Sequence, residues 1–139
     1  MLDDIASYLT AQSTALSVLS GSTGNLVKTI WPADSPNELV ALFETAGSGT
    51  YFEFSTGDVP ERVYVSPSLQ ILSRSTSVQT ARSNINAAFD LLDGYTGNLP
   101  TSTGTRYVQI VADQAPFQVD RDANQRFIYS VNFTVWKEQ

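Results

Sequence analysis

The chain has 139 residues, a formal net charge of −6 and a pI near 4.3, with no cysteine and no histidine. That length fits one domain, and a domain of this size buries about two-thirds of its unfolded surface, so a core needs no staples. The missing residue types exclude disulfides, Cys/His zinc sites and histidine-driven nucleophiles or acid–base pairs. The eight Lys and Arg are scattered, so no basic run exists to neutralise nucleic-acid phosphates.

Charged residues make up only 16 % of the chain, against roughly 25 % in ordinary soluble proteins. Ser, Thr, Asn and Gln take their place. Hydroxyls and amides cost less to desolvate than ions, which suits a surface that packs against neighbours.

At the N-terminus Leu2, Ile5, Ala6 and Leu9 recur at helical spacing, with Asp3 and Asp4 in the first turn where the helix dipole favours acid. The pattern predicts a helix over Leu2 to Gln12, with a continuation to Leu19 open, broken by Gly21 to Gly24. This acidic start lacks the basic region of a signal peptide, and no stretch reaches the ~18 apolar residues of a membrane span. The expectation is a protein made in the cytoplasm, with no membrane partner.

Asn25 to Trp31 predicts a first strand, and Pro32 to Asn37 a turn set by two prolines. Glu38 to Thr45 predicts a second strand whose unbroken apolar run, Leu39 to Phe43, fits burial on both faces. Ala46 to Pro67 then reads as a long connection containing Tyr51-Phe52-Glu53-Phe54 and, further on, Asp58. It is either a short hairpin packed on the sheet or an exposed contact arm. A third strand follows over Leu69 to Arg74.

The second helix is the most strongly patterned, with Val78, Ala81, Ile85, Ala88, Phe89 and Leu92 on one stripe. Ser75 or Thr76 can cap it, and Gly94 after Asp93 supplies the left-handed stop. Gly94 to Gly104 reads as a loop. Thr105 to Asp113 and Arg126 to Trp136 are the closing strands. The last alternates Phe127, Tyr129, Val131, Phe133 and Val135 with polar residues, so one face belongs to a core. The order α-β-β-β-α-β-β predicts an α+β fold, one mostly antiparallel sheet with two helices packed on it.

Few motifs carry chemistry. Asp120-x-Asp122-x-Asn124 matches the opening of an EF-hand loop, but Gln125 stands where the turn glycine belongs and Val131 where the bidentate Glu belongs. A hairpin turn, with Asn124 tolerating a left-handed backbone, is the better reading. Asn132-Phe133-Thr134 is a glycosylation sequon inside a strand, and Gly47-Ser48-Gly49 lacks the rest of a phosphate loop. No catalytic, metal-binding or cofactor-binding residue emerges, and the reading is of a non-enzyme.

Four stretches, in order, resemble one family. Gln114-Ala115-Pro116-Phe117, Asp120-Arg121-Asp122, Arg126-Phe127 and Val131 to Val135 together look like the C-terminal signature of the minor capsid or tail terminator proteins of tailed phages. The segment Leu2 to Leu9, the turn Pro32 to Asn37 leading into Val40 to Thr45, and Pro67-x-Leu69-Gln70 are similar to its earlier elements. The resemblance implies a virion protein of the neck without cofactors. It would form a ring of like subunits, usually hexameric, that caps the head-proximal end of the tail tube and stops its growth. Its partners would be other copies of itself, the tail-tube protein and the head connector or stopper, with the sheath a further candidate. Genome DNA would pass through the lumen without specific binding.

A heterologous contact closes only as a ring, so a cyclic assembly is expected rather than a two-fold dimer. An acidic lumen would keep DNA from sticking. Asp120, Asp122 and the acids near Glu53 and Asp58 are candidates to line it, with the Asp120–Gln125 turn free to project. The candidate ring or partner contacts are Tyr51, Phe52, Glu53, Phe54, Asp58, Asp120, Arg121 and Asp122. The connection after Thr45 departs from the family's glycine- and proline-bearing pattern. Another neck or tail ring protein, or a carbohydrate-binding module using Trp31 and Tyr51, are the competing readings.

Overall fold

In the computed structural model, residues 1–12, 25–53 and 62–139 are described. Helix α1 (Leu2–Ala11) precedes strands β1 (Leu26–Lys28), β2 (Leu39–Glu53) and β3 (Arg62–Ser75). Helix α2 (Val78–Leu92) is followed by β4 (Tyr95–Leu99), β5 (Thr105–Ala112), β6 (Phe117–Val119) and β7 (Phe127–Glu138). One sheet runs β1-β2-β3-β7-β5-β4, with β6 also paired to β7. Every pairing is antiparallel except β1 with β2, so the sheet is mixed. The possible continuation of the first helix to Leu19 lies outside the described residues.

The strand alternation sets two faces. Val40 and Leu42 of β2, Leu69 and Ile71 of β3, and Val131, Phe133 and Val135 of β7 share one apolar cluster with Ile5 and Leu9 of α1 and Ile85, Ala88 and Leu92 of α2. Both helices therefore pack on the same face. Each of these large side chains is fully buried, a contribution of about 1.5–3 kcal/mol apiece before entropy is counted. Tyr107 of β5 fixes α1 to the sheet, its hydroxyl donating to Asp4 Oδ2 at 2.7 Å. Burial, and secondarily that bond to a carboxylate, push the Tyr107 hydroxyl pKa upward.

Helix α2 starts one residue later than the cap candidates suggest. Ser77 is the N-cap, its Oγ accepting from the Thr80 amide, while Ser75 Oγ accepts from the Ser77 amide. Competition among three adjacent hydroxyls is settled by which one faces the first free amides. The stop is as expected: Asp93 is the C-cap and Gly94 follows with φ of +77°.

Three sequence expectations need correction. Among the described residues, the connection after Thr45 is strand, and the hairpin reading of it understated its length. Strand β2 continues through Glu53, and β3 begins at Arg62 instead of Leu69. The two form one long hairpin with Tyr51 opposite Tyr64 and Glu53 opposite Arg62. Gly47 and Pro67 hid it from a pattern reading. Both sit at a register irregularity between Thr45 and Thr50, where the chain bulges and strand rules relax. The Gly94 to Gly104 loop contains strand β4, and β6 is a second added strand before the closing turn, so the order gains two elements. Finally, the left-handed residue of the 120–126 turn is Gln125, at φ +60°, not Asn124.

Among the described residues, a turn covers one end of the second face of the sheet. Leu39 and Ala41 of β2 are fully buried yet stand outside the main cluster. Arg74, opposite Leu39 in the register, donates from Nη1 to the Pro32 carbonyl and from Nη2 to the Pro36 carbonyl. The 32–36 turn thus lies across this end of the sheet.

Candidate functional site

The described candidate residues fall into two groups at opposite ends of β7, a strand of 12 residues and hence roughly 36–40 Å long. One group is the outer part of the β2–β3 hairpin, beside the strand's C-terminal end. The other is the turn 120–126, at its start. Phe54 and Asp58 lie outside the described residues.

On the hairpin arm, Tyr51 and Phe52 are 42 % and 56 % exposed. The Tyr51 ring packs on Trp136 of β7 at 4.6 Å between centroids. Tyr64 donates its hydroxyl to Glu53 Oε2 at 2.8 Å, and Arg62 lies 3.8 Å from the Glu138 carboxylate. The Gln139 amide closes onto the Val63 carbonyl at 3.0 Å. The arm is therefore held in shape by cross-strand bonds while its aromatic surface faces outward.

The turn is built differently. Asp122 Oδ1 accepts from the amides of Asn124 and Arg126, each at 3.0 Å, and Oδ2 accepts from Arg126 Nε at 2.7 Å. Arg126 is 1 % exposed. Its Nη1 donates to the Asp34 carbonyl at 2.7 Å and its Nη2 to the Ala33 carbonyl. Burial opposes ionisation of Asp122, but the amide bond, the guanidinium bond and the positive charge of Arg126 outweigh it and hold the carboxyl below its usual range.

Two buried guanidiniums, Arg74 and Arg126, thereby clamp the carbonyls of Pro32, Ala33, Asp34 and Pro36. Trp31 lies over Arg74 at 4.8 Å. Burial, followed by the charge of Arg126, lowers the pKa of Arg74, and Asp122 opposes that shift. A recess of about 300 Å³ lined by Trp31, Arg74, Asp122 and Arg126 opens beside this clamp.

The turn is consequently not free to project. Asp122 is tied inward with its carboxylate 15 % exposed, and its charge is engaged by Arg126. Asp120 and Arg121 remain on the surface, with Arg121 over the Phe127 ring at 4.2 Å. The false calcium motif is the short-range wiring of an arginine staple. Trp31, the main support for a carbohydrate site, is half-buried and engaged with Arg74. Sequence reasoning missed Arg74, Arg126 and Trp136. Arginines ordinarily reach solvent, and only the return of the 32–36 turn onto the end of β3 and the start of β7 shows these two covered.

No described cluster of three or more His, Cys, Asp or Glu side chains could hold a metal ion. The site is a set of surfaces joined by a rigid sheet. What it offers chemically is contact area and hydrogen-bonding backbone.

That architecture has a solved counterpart. A chain from the virion of a native gene transfer agent particle shares it, at a TM-score of 0.66 over 100 % of this chain and 95 % of that one, with 13 % sequence identity. Sequence comparison with curated proteins finds no match. The family model of the bacteriophage tail terminator protein matches residues 31–139, and the chain belongs to that family. It is a structural, non-enzymatic component of a phage-type particle.

Proposed function

We propose that this chain forms a closed head-to-tail ring, of six copies, at the head-proximal end of a tail tube. The ring stops tube growth and presents its other side to the head connector, with genome DNA passing through the lumen. The observation carrying this reading is the family match across residues 31–139. The aromatic arm supports it, because Tyr51 and Phe52 remain 42 % and 56 % exposed on an ordered hairpin, as a contact surface requires. Tyr51, Phe52 and Glu53 then meet a neighbouring subunit or the tube, while Asp120 and Arg121 sit at the far end of β7 and serve a different contact. The surplus of acid over base, −6 per chain, keeps DNA from adhering to the assembly.

The test is a capping assay. Purified protein added to polymerising tail-tube subunits should shorten the tubes in electron micrographs and leave a ring on one end. Native mass spectrometry of the protein alone or released from tubes should give a single closed stoichiometry. Long tubes formed by the protein alone would instead make it a tube subunit.

A further inference from the structure

The recess beside the arginine clamp holds more buried positive charge than the chain balances. Its wall contains two buried guanidiniums, Arg74 and Arg126. Asp122 pairs with Arg126. Among the described residues Arg74 has no carboxylate within ion-pairing distance and is held by two backbone carbonyls. A buried charge is ordinarily matched by an opposite one.

A second observation marks the same side chain. Arg74 Nε is buried and has no hydrogen-bond partner. A guanidinium presents its donors as a planar fork, and native structures rarely leave a buried donor unmatched, because the lost water bond is not repaid. Arg74 lines the recess, so a partner for it is supplied from there.

The recess itself selects among ligands. Its volume of about 300 Å³ lies at the lower end of the roughly 300–1,000 Å³ of small-ligand sites. It admits a side chain or a small molecule, not a folded segment. Trp31, Ala33 and Ala123 give it apolar walls beside the guanidiniums. Asp122 and the exposed Asp34, which also line it, repel a doubly charged phosphate. The net charge of −6 repels a nucleic-acid backbone. A singly charged carboxylate matches the one guanidinium left without a counterion, and its two oxygens fit the fork. Asp34 does not fill that role from within the chain, since it makes no ion pair.

We propose that this recess is a carboxylate site, in which Arg74 receives a monoanionic carboxylate while the aliphatic part of the ligand lies against Trp31 and Ala123. The site belongs to a single chain and does not depend on the ring. Arg74 is fully covered, with Trp31 over its guanidinium at 4.8 Å. A ligand therefore enters by displacing the half-buried Trp31 ring, which makes that ring a reporter of occupancy. The carboxylate comes from an Asp or Glu side chain of a neighbouring protein chain or from a free small molecule.

The chain has two tryptophans, and Trp136→Phe leaves Trp31 as the only one. That variant is titrated with sodium propionate, and with sodium chloride and sodium phosphate at matched pH and ionic strength. Trp31 emission and the thermal unfolding midpoint are followed. Propionate should change the emission saturably and raise the midpoint, as a ligand of the native state does, and the other two salts should do neither. Ala123→Leu, at an exposed position on the recess wall, should abolish both responses and leave the midpoint without propionate nearly unchanged. Arg74→Lys keeps the charge but lacks the fork and should weaken propionate about tenfold or more. A propionate response no different from that of chloride, or one that survives Ala123→Leu, overturns the site. An equal saturable response to phosphate overturns the assignment to a carboxylate. The capping assay then separates the sources: loss of capping in Ala123→Leu assigns the carboxylate to a neighbouring chain, and normal capping assigns it to a free molecule. Failure of the parent protein to cap overturns the proposed function and leaves this site to stand or fall on the propionate titration.

Discussion

The inner and outer parts of the β2–β3 hairpin are continuous strands in opposite surroundings. In the inner part, Leu39 to Leu42 and Ser73 to Ser75 are buried, under the helices on one face and under the arginine-clamped turn on the other. In the outer part, Glu44 to Glu53 are exposed, Tyr51 and Phe52 among them. The two parts pair with the same partner strand, regularly in the inner part and through a bulge at Thr45–Thr50 in the outer part. What differs is whether the chain itself supplies a covering layer. Stability is concentrated in the first part, and in the proposed ring the second is left for other molecules to cover.

The comparison can be broken from the inner side first. Arg126→Ala removes the guanidinium that pairs with Asp122 and binds two carbonyls of the covering turn. It should cost about 3–5 kcal/mol, as for breaking a buried ion pair, read as a fall in the urea midpoint at unchanged slope. Leu42→Ala opens a cavity under the helices and should cost about 2–5 kcal/mol in the same measurement.

Gly47→Ala tests the junction. A Cβ at this position would lie 2.1 Å from the Ser66 carbonyl oxygen, so the bulge must shift. The expected loss is about 1–3 kcal/mol, with altered amide shifts confined to the hairpin in NMR spectra.

Asp122→Asn separates charge from shape. The folded-state pKa of Asp122 is depressed, so its stabilisation is complete above the unfolded value of about 3.9 and is lost as pH falls through the folded value. The variant should be less stable than the parent by about 1–2 kcal/mol at pH 7, with the gap closing as the pH falls through the depressed folded-state value. A gap of constant size across that range would remove ionisation from the account.

Tyr51→Ala, on the outer side, should cost about 1 kcal/mol or less in stability, the worth of its packing on Trp136. It should nevertheless abolish tube capping. A Tyr51 variant that caps normally would mean the arm is not the contact surface.

Much of the inner part could be read along the chain. The unbroken apolar run Leu39 to Phe43, the alternation Phe127 to Val135 and the stripe Val78 to Leu92 each report burial through their period. Period survives without knowledge of the partner element. The outer part could not be read this way. Gly47, Gly49 and Pro67 look like loop residues, yet in a bulged hairpin they let two strands pass a register shift. Strand β4, Tyr-Thr-Gly-Asn-Leu, carries no alternating signal and is a strand only because β5 lies beside it. Of the candidate contacts, Tyr51 and Phe52 could be picked out as aromatics in a polar stretch. The turn could be found but its role could not, because Asp122 meets Arg126 four residues on and Arg126 meets Ala33 and Asp34 more than ninety residues back.

By itself the sequence determined the helices, the inner strands, the absence of cysteine and histidine chemistry, and the motifs that resemble a tail terminator. Those properties depend on residue type and short spacing. Tertiary structure alone decided that two arginines are buried and that an apparent loop is the outer part of a long hairpin. Each of these depends on which distant segment lies alongside, and long-range pairing, unlike periodicity, leaves no local trace in the chain.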